Sequence, residues 1–334
     1  ASYPCARAQE SPAPAPAPQA PFTLAVSGLK APDPMVRRRS ADELGRLGTP
    51  ASFAPLTQTL ADENPFVRSA AVDALGILRA REAVSKIAEL LAKDPAPQVR
   101  QQAAIALAYV GDSTTEDALI AALKDASDGV RFAATRTLGS LRSRKAIDPL
   151  AAALKDPDAG MRRAAAAALG QIGAKESMAP LQEALDDQDL HVRREALRAV
   201  GAMADAGSAA VFEKALKDSD AVIRLQAASA LGRLGDFSGE AAVAALLKDG
   251  EASIRMQAAD VLGRIGGKDK ALPALLAALS SEQDQGVKGL LDLAAAQIKA
   301  RLGIKDEPAK KPKPAAGEPV KSRAKKSPAK KSAP

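Results

Sequence analysis

The sequence predicts an all-α fold, an α-solenoid of about eight two-helix repeats closed by a C-terminal capping helix. Three observations predict it. A basic residue directly after Val, Ile or Met recurs as Arg37, Arg68, Arg100, Arg131, Arg162, Arg193, Arg224 and Arg255, and as Lys288 in a degenerate ninth copy, at intervals of 31 to 33 residues. Six residues before the marker stand Asp62, Asp94, Asp125, Asp156, Asp187, Asp218 and Asp249. Seven and eight residues after it stand Leu-Gly pairs such as Leu44-Gly45, Leu75-Gly76 and Leu169-Gly170. Three registers in phase at a fixed period mean one supersecondary unit stacked on itself. No run alternates apolar and polar residues with period two, so no sheet is expected.

Residues 1–26 read as a disordered spacer, because Ser11-Pro-Ala-Pro-Ala-Pro-Ala-Pro18 favours an extended polyproline conformation and offers little to bury. The repeats follow over residues 27–303. Asp33, Asn64, Ser127, Asp158, Asp189, Asp220 and Asp284, four before the marker, suit helix N-caps whose side chains accept from first-turn N–H groups. Pro34 and Pro65 come next, where their fixed φ suits the first helical position. Within that first helix Val67, Ala71, Leu75 and Leu78 fall on one face. Gly48, Gly111, Gly173, Gly235 and Gly266 suit the left-handed position that ends it. A second helix starts near Pro55, Pro149, Pro180 and Pro273 and turns Leu150 with Leu154, or Leu181 with Leu185, inward.

Asp-x5-Arg followed by Leu-Gly, in units of about 31 residues, resembles the short HEAT-like repeats of the phycobilisome-lyase type over residues 29–303. The resemblance implies a right-handed superhelix whose second helices line the concave face. It also implies that each marker arginine pairs with a repeat aspartate, its own or a neighbour's. The structural ladder is then Asp62, Arg68, Asp94, Arg100, Asp125, Arg131, Asp156, Arg162, Asp187, Arg193, Asp218, Arg224, Asp249 and Arg255.

Charge is unevenly placed. The chain carries +7 overall, and residues 305–334 hold ten basic against three acidic side chains, so the tail accounts for all of it. That tail, residues 304–334, is too poor in apolar residues to form a core. Lys310, Lys311, Lys313, Lys321, Arg323, Lys325, Lys326, Lys330 and Lys331 suit salt-sensitive attachment to nucleic acid or an anionic envelope polymer. Arg79 with Arg81, and Arg142 with Arg144-Lys145, replace the turn glycine in the second and fourth copies.

Chemistry is poorly represented. His191 is the single histidine and Cys5 the single cysteine, which leaves no catalytic pair, no metal-ligand spacing and no call for a cofactor. No apolar run is long enough to span a membrane. Ala6-Arg7-Ala8 has the small-x-small form of a signal-peptidase site, and export and a cytoplasmic location fit the sequence equally.

The functional expectation is a monomeric, non-enzymatic scaffold that binds another protein. Lys86, Glu89, Gln182, Glu183, Glu213 and Lys214 on the second helices are the candidate contact residues. Two alternatives are a nucleic-acid-associated protein acting through its tail and a chromophore-handling protein of the phycobilin-lyase kind.

Overall fold

The computed structural model describes residues 21–204 and 206–304. These residues form helices and connecting turns, with no strand among them. In chain order the α-helices are α1 (Pro21–Gly28), α2 (Pro34–Leu47), α3 (Phe53–Thr59), α4 (Pro65–Ile77), α5 (Val84–Lys93), α6 (Pro97–Val110), α7 (Glu116–Ala122), α8 (Asp128–Ser140) and α9 (Ile147–Ala153). They continue as α10 (Ala159–Ile172), α11 (Met178–Glu183), α12 (Leu190–Met203), α13 (Ala209–Ala215), α14 (Ala221–Arg233), α15 (Glu240–Ala245), α16 (Ala252–Ile265), α17 (Ala271–Ser281) and α18 (Gln285–Leu302). The even-numbered helices from α2 to α16 are the first helices of eight units, and the odd-numbered helix after each is its second. The ninth first helix, α18, closes the stack without a partner of its own.

Helical structure starts earlier than the sequence suggests. Residues 21–26, read as part of the spacer, belong to α1, which packs on α2 and buries Ala25. Phe22, Val26 and Leu29 add to that face, so α1 covers the open side of the first unit as a lone second helix would.

Each unit hides its apolar side only against its neighbours. From the first helices Leu44, Leu75, Leu107, Leu138, Leu169, Leu231 and Leu262 are fully buried, with Val200 in the leucine's place in the sixth unit. From the second helices Leu56, Ile87, Leu119, Leu150, Leu181, Phe212, Val243 and Leu275 meet them, equally buried.

The glycine that follows the leucine in most units, replaced by Ala108 in the third, sets the shape of the array. A Cβ on Gly45 would stand 2.9 Å from that of Ala74, on Gly76 3.0 Å from that of Ala106, and on Gly170 2.6 Å from that of Ala199; on Gly139 it would meet Cα of Ala168 at 2.8 Å. At these crossings successive first helices come to nearly backbone contact, whereas α12 with α14 and α14 with α16 are held apart by the side chains of Arg233 and Ile265. Successive second helices, by contrast, approach less closely, chiefly at α5 with α7 and α15 with α17. A unit that is thin on one side and thick on the other is a wedge, and a stack of wedges bends towards the thin side. This closer approach favours the first helices as the inner surface, whereas the family resemblance implies the second helices there. The reason is the glycine–alanine crossing, which has no counterpart among the second helices.

Capping follows the sequence with one exception. Asp33, Asn64, Asp158, Asp189, Asp220 and Asp284 accept from first-turn N–H groups, and Ser127 does not. The turn glycines divide. Gly48, Gly173 and Gly235 are left-handed, with φ of 69°, 63° and 79°. Gly111 and Gly266 are extended instead; a Cβ would lie 2.4 and 2.5 Å from the carbonyl oxygens of Leu107 and Leu262, to which their N–H groups donate.

Arg79 and Arg142 stand where the other units have glycine and take its backbone conformation, with φ of 54° and 52°. A left-handed L-residue is disfavoured by Cβ crowding. Arg79→Gly is therefore expected to raise stability by about 1 kcal/mol, the usual left-handed cost less glycine's extra chain entropy. Equilibrium urea unfolding measures it, and an unchanged or lower midpoint contradicts it.

Candidate interaction surface

The marker arginine is held from both sides. Its Nη1 donates to the carbonyl of its own unit's aspartate, as Arg68 does to Asp62 at 2.9 Å and Arg100 to Asp94 at 2.9 Å. Its Nε and Nη2 then fork onto the carboxylate of the next unit: Arg37 on Asp62, Arg68 on Asp94, Arg100 on Asp125 and Arg162 on Asp187, each with Nε–Oδ2 of 2.7 Å, and Arg193 on Asp218 at 3.0 Å. The same carboxylate accepts the backbone N–H two residues on, for example Asn64 to Asp62 at 2.8 Å. One aspartate thus fixes its own turn and the preceding unit's arginine, in the planar fork that guanidinium geometry favours. The first unit lacks the aspartate, but Ala31 suffices because Arg37 needs only its carbonyl oxygen, at 3.1 Å.

The ladder has a substitution and two gaps. Arg255 takes Glu282, at 2.7 Å. Arg131 does not reach Asp156, because Asp128 in its own first turn captures Nη2. Arg224 does not reach Asp249 and, among the described residues, holds only the carbonyls of Asp218 and Ser219. At Arg224 the apolar core also divides: Ile223 and Ala227 pack with the preceding units, Leu225 and Ala228 with the following ones.

Hydrogen bonds from Arg100 and Arg162 hold the carboxyls of Asp125 and Asp187 below the ordinary range, against the opposing effect of burial. The hydrogen bond from Arg255, with backbone N–H groups, takes Glu282 down to about 2. A carboxylate depressed on folding adds stability above its unfolded pKa and loses it as the pH falls through the folded value. The melting temperature is expected to hold from about pH 7 to about pH 5 and to fall between about pH 4 and about pH 2. Circular dichroism melts across that range check it; a fall complete by about pH 5 contradicts it.

Sequence reasoning missed two cross-unit caps near the C-terminal end. Buried Glu240 accepts from the N–H groups of Gly267 and Ala271 at 2.8 and 2.7 Å, satisfying the turn before α17. Arg301 in α18 donates to the carbonyl of Gly263 at 3.0 Å and to that of Gly266, tying off the end of α16. Glu282 was legible as an acid at the ladder's spacing; Glu240 carried a weaker signal, since among the eight units only the third, with Glu116, has an acid at the same register.

The candidate residues on the second helices lie on the outer side. Lys86, Glu89, Glu183, Glu213 and Lys214 are exposed and Gln182 is half-buried. Lys214 pairs with Asp186 at 2.6 Å, Glu89 with Lys93 at 3.2 Å and Glu183 with Lys155 at 3.9 Å. They do not converge on a common site. The turn-edge cations are also largely matched, Arg144 by Glu176 at 2.8 Å and Lys145 by Asp117 at 3.6 Å. The tail residues from Lys310 to Lys331 lie outside the described residues.

The inner surface carries more varied chemistry. At its N-terminal end Phe66, Ile77 and Tyr109 are 58%, 62% and 58% exposed, and Tyr109 shares a groove with Ile105 and Phe132. Further along, Arg198, Arg233 and Arg264 line a groove of about 600 Å³ across α12, α14 and α16, shared with Gln226 and Asp260. Among the described residues no group of His, Cys, Asp and Glu is placed to hold a metal ion, and no helix is long and apolar enough to cross a membrane.

Stacked helix pairs, an arginine–aspartate ladder between them and a long inner surface define an α-solenoid of the protein-interaction class. HEAT repeats match the chain over residues 23–108, 84–167, 147–232 and 209–294, and the chain belongs to the HEAT-repeat family. Among solved structures, YibA of Escherichia coli is similar at 20% identity with a TM-score of 0.56, over 81% of this chain and 98% of that one. An engineered protein aligns at 22% identity with a TM-score of 0.47, over 86% of this chain and 92% of that one. No curated protein matches the chain.

Proposed function

We propose that the array is a scaffold that grips another protein along its inner, first-helix surface, with no bond made or broken. The observation that carries this reading is the exposure of Phe66, Ile77 and Tyr109 on that surface, in a chain whose aromatic content is only 2%. Large apolar side chains held in water beside a polar rim are the usual mark of a protein contact. The near-uniform 31-residue spacing supports the short, phycobilisome-lyase type of HEAT repeat. A bilin-handling role rests on that likeness alone, and mixing the protein with a bilin and an acceptor protein tests it by adduct formation.

Affinity capture from the source cells, with mass spectrometry, tests the scaffold. A protein recovered with the wild type and with the outer-surface variants Lys86→Ala and Glu213→Ala, but lost with Ile77→Glu, is the expected result. Loss with the outer variants and retention with Ile77→Glu overturns it.

The basic tail serves as the attachment for an anionic polymer, a reading favoured by the concentration of the whole net charge in residues 305–334. Phosphate neutralisation by such a segment falls steeply with salt. Duplex DNA binding that weakens across a salt series and vanishes on truncation after Leu302 supports the nucleic-acid alternative. No binding by the full chain removes it.

A further inference from the structure

We infer that the groove between α6 and α8 on the inner surface docks an acidic segment of the partner protein, one carrying an aliphatic or aromatic anchor beside its carboxylates. This rests on the protein-binding reading above and names the chemistry of what is bound.

The groove encloses about 380 Å³. Ile105, Ala108 and Ala133 help to line it, with Tyr109, Phe132 and Arg136 beside them. The chain has two Tyr, six Phe and no Trp, so a pair of aromatics beside one groove is a concentration of scarce residues. Aromatic rings next to an arginine are the composition of binding hot spots, since rings bury large area at low entropic cost.

Charge decides what kind of segment fits. Elsewhere on the first helices Arg194 holds Asp220, Arg198 holds Glu195 and Arg264 holds Asp260, whereas the exposed Arg39 and Arg233 hold no carboxylate among the described residues. Arg136 in α8 and the exposed Arg163 in α10 meet none among the described residues. The sequences of α6 and α10 contain no acidic residue, and in α8 the one acid, Asp128, is taken by Arg131. This stretch of the inner surface therefore presents apolar area and two unmatched guanidinium groups, and Asp158, near Phe132, is engaged by the N–H of Met161 as the cap of α10. Tyr109 likewise has no hydrogen-bond partner for its hydroxyl among the described residues.

Two other occupants fit less well. The chain's own basic tail carries the same sign of charge as Arg136 and Arg163. A nucleic acid requires cations spaced along its phosphates, whereas a single arginine, Arg136, lines this groove beside its apolar residues.

The test is fluorescence anisotropy with a short labelled peptide of glutamate, leucine and phenylalanine, its glutamine-for-glutamate and lysine-for-glutamate versions, and single-stranded oligo-dT. The full chain is expected to bind the glutamate peptide roughly tenfold or more tighter than the glutamine peptide and not to bind the lysine peptide. Arg136→Gln and Tyr109→Ala are each expected to weaken binding about tenfold, while Arg136→Lys retains part of it and Glu183→Gln on the outer side leaves it unchanged. No binding, equal binding of the glutamate and glutamine peptides, indifference to Arg136→Gln, or a preference for oligo-dT would each overturn the inference. Should the peptide fail while Ile77→Glu still abolishes capture of the partner, the scaffold stands and only the chemistry assigned to this groove is withdrawn.

Discussion

Asp94→Ala is expected to lower stability by about 3 kcal/mol, the low end of the range for removing one partner of a shielded ion pair. The Arg68 and Asp94 side chains retain 11% and 2% of their exposure, so water cannot replace the lost carboxylate around the guanidinium. The substitution also frees the N–H of Ala96, which Asp94 accepts at 2.9 Å. Because a repeat array is stabilised largely through its neighbour interfaces, the loss should loosen the first two units from the rest before the remaining units unfold. Urea unfolding followed by hydrogen exchange reads both effects. Asp156→Ala supplies the comparison: Asp156 holds its own turn N–H but no arginine from the preceding unit, and its loss should cost about 1 kcal/mol. Equal costs for the two substitutions would mean that the cross-unit fork contributes nothing.

Gly139→Leu is expected to cost about 3 kcal/mol, the upper end of the usual range for overpacking. Even a single carbon at Gly139 would stand 2.8 Å from the backbone of Ala168 and 2.7 Å from Oε1 of Gln171. The side chain of Gln171 can move, but the backbone of α10 cannot without separating two units. The opposite expectation holds at Gly250, where a Cβ meets nothing within 4 Å, so Gly250→Ala should be near neutral. Thermal unfolding of both variants checks the pair. A tolerated Gly139→Leu would mean that the first helices are not in close contact there.

Much of this architecture was legible because the period is read directly from Arg37 to Arg255, and a stacked unit has few ways to bury Leu75 or Leu169. The direction of the ladder was not. Spacing alone leaves Arg68 free to pair with Asp62 or Asp94, and the structure uses the first through its carbonyl and the second through its carboxylate. The gaps at Arg131 and Arg224 are invisible to a register, since the same residue types recur in the same places; Asp128 diverts Arg131 only because it stands one helical turn away. Helix α1 was hidden by the proline-rich stretch before it, although Phe22, Ala25, Val26 and Leu29 have helical spacing.

The curved face is harder to read from sequence because curvature depends on interaxial distance, which a consensus pattern does not state. The information was nevertheless present. The glycine eight after the marker and the alanine six after the next one, such as Gly45 with Ala74 or Gly170 with Ala199, are both too small to keep two helices apart. Reading them as a crossing places the first helices inside, with Phe66, Tyr109 and Arg136 on the surface a partner would meet.

The most direct measurement is a pair of distances by electron paramagnetic resonance in a Cys5→Ser background. One pair of spin labels at Asp73 and Arg198 joins the second and sixth units through first helices; the other, at Glu89 and Glu213, joins the same units through second helices. Wedge-shaped units predict the shorter distance between Asp73 and Arg198. Equal distances, or a shorter one between Glu89 and Glu213, would contradict an array that curves around its first helices.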